Sequence, residues 1–130
     1  MSQMYRKRDR ALIFFFTLVG LVFWLNVPGL YAGLFDDTGL PPEVIPLHSL
    51  ANGLEGTGWL LVAVMTGLRR YRAAAWVGYF VVGMWAWDMT TTTYLPNMPV
   101  PPYQWAWGPL TVLILLVGIG RLWRRPDIVV

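Results

Sequence analysis

Ala73-Ala-Ala-Trp-Val-Gly-Tyr-Phe-Val-Val-Gly-Met-Trp-Ala-Trp-Asp88-Met-Thr-Thr-Thr-Thr93 is the stretch that decides the fold class. It is uncharged from Ala73 to Trp87 and then places a carboxylate among indoles. On insertion scales an ionised side chain at the centre of a membrane helix costs roughly 2.5–3.5 kcal/mol, so Asp88 must meet interfacial water, hold a proton or find a partner. The rest of the chain shows the same character. Of its 130 residues 56% are hydrophobic and only 13% charged, whereas about a quarter are charged in a soluble domain. The expected class is an all-α integral membrane protein.

The net charge of +3 does not read as a nucleic-acid footprint. All ten basic residues fall into three clusters, Arg6 to Arg10, Arg69 to Arg72 and Arg121 to Arg125, and such clusters set membrane topology. Between them the apolar runs predict helical spans over about 11–35, 48–68, 73–94 and 103–123, each near the 20 residues that cross a bilayer core. A basic tail, 1–10, precedes them and another, 124–130, follows. The first run has no small-x-small cleavage site and reads as a retained span rather than a signal peptide. Pro28 should kink or end its last turns. Two loops without Lys or Arg, an acidic one with Asp36, Asp37 and Glu43 and a Pro-rich one over 95–102, fall on the opposite side from the clusters. The expected architecture is one domain, a four-helix bundle with both termini cytoplasmic. No Cys is present, and the single His48 belongs to no ligand motif. No disulfide, metal or other cofactor is therefore expected.

Counting about 1.5 Å per helical residue from the basic clusters puts Glu55 roughly 21 Å above the cytoplasmic edge. Asp88, Asn26 and Trp105 each come roughly 24 Å above it, so polar or indole groups of four helices share one depth in the outer half of the bilayer. By i, i+3, i+4 spacing Glu55, Trp59, Val62 and Thr66 share one face of the second span, and Val77, Val81, Trp85, Asp88 and Thr92 one face of the third. If those faces look inward they enclose a pocket with two carboxyls at its roof and aromatic walls. At least one carboxyl in such a place should hold a proton. Several of these residues also have plain structural readings. Trp76, Trp87, Trp105, Trp107 and Trp123 suit interfacial belts. Thr90 to Thr93 suit bonds back to their own helix. Gly53 and Gly56 suit close helix packing. Asn26 suits a bridge between helices, and His48 the interface.

Four short motifs resemble the EXPERA superfamily, which holds the emopamil-binding sterol isomerases and the sigma-2-type receptors. They are Phe23-Trp-Leu-Asn-Val-Pro28 followed by Asp36, Leu54-Glu-Gly-Thr-Gly-Trp59, Gly83-Met-Trp-Ala-Trp-Asp88 with Tyr94-Leu95, and Tyr103-Gln-Trp-Ala-Trp107. Where the isomerases have His on the first helix this chain has Asn26, and Leu30 stands where a second acid would follow. What the resemblance implies for this chain is therefore Glu55 and Asp88, in a pocket for a lipophilic, sterol- or terpenoid-like molecule.

Three functions follow as expectations. The first is a pocket for a small lipophilic, cationic or neutral ligand, with isomerase- or cyclase-type acid/base chemistry by Glu55 and Asp88. Asn26, Trp59, Trp85, Trp105 and Thr92 would then contact the ligand, because indole faces and a carboxylate both attract a cation. The second is a small proton-coupled carrier subunit, which would need a homodimer to enclose a path. The third is a structural or assembly subunit of a larger membrane complex. The lipid bilayer is a partner in all three, and nucleic acid in none.

Overall fold

A computed structural model describes residues 3–34, 40–91 and 102–126 of the chain. These residues are helical apart from short turns, with no strand among them. Four helices follow in order, α1 (Gln3–Tyr31), α2 (Ile45–Gly67), α3 (Tyr71–Met89) and α4 (Pro102–Trp123), with a 3-10 turn, Pro42–Val44, leading into α2. The basic cluster before Ala11 is not a separate tail. It forms the first turns of α1. Pro28 does not stop that helix, which continues to Tyr31.

Two helix ends close in the same way. At the end of α1, Gly33 has φ 81° and the Leu34 N–H returns to the Gly29 carbonyl at 3.1 Å. At the end of α2, Arg69 has φ 60° and the Arg70 N–H returns to the Met65 carbonyl at 2.9 Å. Each bond reaches back five residues around a left-handed residue, which satisfies carbonyls that the last helical turn leaves without partners.

Each helix packs against the next, α1 on α2, α2 on α3 and α3 on α4. The α1–α2 crossing is set by two glycines. A Cβ on Gly56 would lie 2.9 Å from the Gly20 carbonyl oxygen, and one on Gly20 would lie 2.9 Å from that of Gly56. The backbones thus touch where neither residue has a side chain, as small residues allow between apolar helices. The expected packing role of Gly56 is found, with the Trp24 indole lying over Gly53 and Gly56. Phe16, Trp59, Val62, Ala74, Ala75, Ile119 and Leu122 fill the centre.

Several polar side chains lie inside the bundle and many large apolar ones outside it. His48, Ser49, Asn52, Glu55, Thr66 and Asp88 are buried, while Phe14 (69%), Phe80 (72%) and Trp87 (73%) stand exposed among many other large apolar side chains. Soluble monomers seldom expose apolar surface so continuously. Four spans were expected. Of the four helices, α1 (Arg6–Tyr31) and α4 (Ala106–Trp123) are long and apolar enough to cross a membrane. With 26 and 18 residues these segments extend about 39 and 27 Å. Helix α2 carries His48, Asn52 and Glu55 within its length, and α3 carries Arg72 and Asp88.

Candidate functional site

Four of the buried polar groups lie on one stripe of α2. His48, Asn52, Glu55, Trp59, Val62 and Thr66 follow one another by three or four residues and are all buried, so one face of the helix looks into the bundle along almost its whole length. Glu55 and Trp59 stand on this face, where the sequence places them, and the structure extends it two turns toward the helix start.

At the top of the stripe His48 Nδ1 stands 2.6 Å from Asp88 Oδ2, both groups buried, which ties α2 to the end of α3. At that distance the imidazole and the carboxyl form a close polar pair. His48 is thus the direct neighbour of the Asp88 carboxyl. One turn below, Asn52 accepts a hydrogen bond from Asn26 Nδ2 at 3.2 Å and donates its own Nδ2–H to the His48 carbonyl at 2.9 Å. Asn26 therefore bridges α1 to α2 as the plainer reading has it.

Glu55 comes next, with no solvent exposure and with neither carboxyl oxygen hydrogen-bonded among the described residues. Asp88 is near enough to act on it electrostatically. Ser49 Oγ and Trp59 Nε1 are likewise buried without a hydrogen-bond partner among the described residues. A buried polar group left unsatisfied is rare and calls for an explanation, such as a bound ligand, a water or a catalytic role. An ionised carboxylate in this position would be costly. Glu55 therefore either holds a proton or meets a cation.

The two indoles below the acids are packed against α1. Trp59 stacks on Phe16 with ring centres 5.6 Å apart and planes 2° from parallel. Trp85 meets the Phe23 edge at 6.2 Å. These contacts make the floor of the polar layer aromatic and buried. Thr90 and Thr91 donate back to the Ala86 and Trp87 carbonyls at 2.7 and 2.9 Å, as their position predicts. Thr92 lies outside the described residues, as do Asp36 and Asp37; of Trp105 only the backbone, early in α4, is described. Among the described residues no group of three or more His, Asp or Glu is placed to hold a metal ion.

A second polar knot holds the opposite end of the bundle. Tyr71 of α3 donates its hydroxyl to Asp9 Oδ2 at 2.8 Å, and Asp9 also pairs with Arg125, whose guanidinium lies over the Tyr71 ring at 5.5 Å. Asp9 thereby joins α1, α3 and the segment after α4.

Sequence reasoning missed His48, Asn52, Ser49 and Asp9. His48 and Asn52 had a signal, since counting back from Glu55 by three and seven residues reaches both. Ser49 lies beside that stripe, and Asp9, inside a basic cluster, had none. No protein-family model, curated protein or solved structure matches this chain.

Proposed function

We propose that this protein is an integral-membrane four-helix bundle with both termini cytoplasmic, and that it binds a small lipophilic molecule at the polar layer formed by Glu55, Asp88 and His48. The observation that carries the reading is Glu55, fully buried with both carboxyl oxygens lacking a hydrogen bond among the described residues. An intramembrane carboxyl in this condition marks a functional site by default. The exposed apolar surface supports the membrane setting. So do the exposed Trp76 and Trp123, in edge contact at 5.6 Å near the basic end, and the exposed Trp87 and Trp107 near the other. The resemblance of the Glu55 and Asp88 motifs to the EXPERA bundles points to the same pair of acids.

The two acids do different work in this reading. Asp88 is paired with His48, and in this reading the two together move a proton to or from a bound molecule, as an isomerase or cyclase requires. Glu55 has no such partner among the described residues and is the anchor for a positive or developing positive charge, with buried aromatic rings beneath it. A proton carrier is the weaker reading, because stacked Phe16 and Trp59, followed by Val62, separate Glu55 from Thr66, the next polar group along the face.

The test uses the full chain in lipid nanodiscs, a steroid bearing a tertiary amine, and the same steroid with a hydroxyl in place of the amine. The amine should bind more tightly, and Glu55→Gln should weaken its binding about 10- to 100-fold, the loss expected for one charge-assisted contact. Asp88→Asn should spare amine binding and abolish double-bond migration in an unsaturated sterol or terpenoid. Equal amine affinity in the wild type and Glu55→Gln would remove the proposed anchor.

A further inference from the structure

We infer that the groove between α1 and α4, at the basic end of the bundle, is a binding site for one anionic phospholipid. The groove has a volume of about 770 Å³. It exists because contact runs from each helix to the next, leaving the first and last helices to meet mainly through side chains such as Phe15 and Phe16 against Gly118.

Its walls divide into two chemistries by helical spacing. On α1, Arg8 is followed by Ala11, Leu12 and Phe15, three, four and seven residues on, so a charge heads an apolar stripe. On α4 the same arrangement runs in reverse, with Arg121 preceded by Gly118, Val117 and Ile114 at the same intervals. Two apolar stripes about 10 Å long thus lie side by side, both headed by guanidinium groups. Arg124 adds a third at the mouth.

Among the described residues only one of the four arginines at this mouth has an acidic partner. Arg125 also lines the groove, but it pairs with Asp9, which fixes the end of α4 beside α1. Among the described residues no acid pairs with Arg8, Arg121 or Arg124. Guanidinium groups bind phosphate through parallel hydrogen bonds, and basic pockets between membrane helices on the cytoplasmic side suit anionic headgroups. The apolar stripes below give an acyl chain its place, with Ile114 and Val117 about half exposed. A free phosphate would leave these stripes uncovered, whereas a phospholipid fills both parts. The inference rests on the membrane setting proposed above and not on any ligand at Glu55.

The experiment offers the purified full chain equal amounts of phosphatidylglycerol and phosphatidylcholine with identical acyl chains and counts retained lipid by native mass spectrometry. The wild type should retain one phosphatidylglycerol with at least about tenfold preference. With each surface arginine worth about a factor of five, the triple variant Arg8→Gln/Arg121→Gln/Arg124→Gln should lose affinity by about 100-fold. Arg69→Gln/Arg70→Gln/Arg72→Gln removes the same charge from the α2–α3 turn and should change retention less than about threefold. Val117→Trp keeps every charge but fills the exposed trough, and should also release the lipid, so the inference stays testable if the triple variant fails to fold. Equal loss from both arginine triples would show general surface attraction and overturn the site. Retention by Val117→Trp, or displacement by equimolar inorganic phosphate, would overturn the lipid as its occupant. Flotation of the wild type with vesicles tests the membrane setting separately.

Discussion

Gly56→Ala should drive α1 and α2 apart. The new Cβ would lie 2.6 Å from Trp24 Cδ1 and 2.9 Å from the Gly20 carbonyl oxygen. The indole can swing away because Trp24 is half exposed, but the carbonyl belongs to a helix backbone and can retreat only if the whole of α1 moves. Ordinary contact begins near 3.4 Å, so the helices must separate by about half an ångström. Overpacking of this kind costs about 1–3 kcal/mol, and we expect the upper half of that range because the Asn26–Asn52 bond, already 3.2 Å long, spans the same pair of helices. Gly20→Ala meets the reciprocal contact with the Gly56 carbonyl and should cost a similar amount. The double variant should cost clearly less than the two together, because one separation relieves both contacts. Gly83→Ala and Gly120→Ala are the controls. Nothing lies within 4 Å of a Cβ at either position, so they should gain about 0.5–1 kcal/mol from the better helix former. Reversible unfolding in mixed micelles of rising dodecyl sulfate fraction, followed by tryptophan fluorescence, measures all five. If Gly56→Ala proved as stable as Gly83→Ala, the touching backbones would be refuted.

The same unfolding assay checks three further expectations. Arg69→Gly should stabilise the protein by about 1 kcal/mol, since Arg69 holds a left-handed φ of 60° that glycine adopts without strain; no gain would mean that the turn relaxes. Tyr71→Phe should cost about 1 kcal/mol for the lost bond to Asp9, and Asp9→Ala about 3 kcal/mol, because it also removes the carboxylate that Arg125 pairs with. Tyr71→Phe added to Asp9→Ala should then cost almost nothing more, and full additivity would disprove the shared knot. Asn52→Leu should cost about 1–2 kcal/mol by removing the bond from Asn26 and the bond to the His48 carbonyl, and should exceed Asn26→Leu, which breaks only the first.

How much of this was legible beforehand varies residue by residue. The buried positions of Glu55 and Trp59 could be read from spacing alone, because a helix turns by a fixed angle per residue and neighbours at three and four share a face. The same rule carried far enough reaches His48 and Asn52. That His48 meets Asp88, however, depends on where α3 ends against the start of α2, across 40 residues of chain. The Asp9 knot depends on helix ends that lie 62 residues apart in sequence from Asp9 to Tyr71.

Composition and period therefore determined that the chain makes apolar helices, where their turns come, and which face of α2 carries the polar groups, since these follow from local geometry and the transfer of side chains out of water. Only the tertiary structure decided that Asp88 lies against His48 while Glu55 has no hydrogen bond among the described residues, and that α1 and α4 leave a basic groove between them. Those outcomes depend on the relative rotation and separation of helices, which the touching backbones of Gly20 and Gly56 and the packed aromatic rings set together.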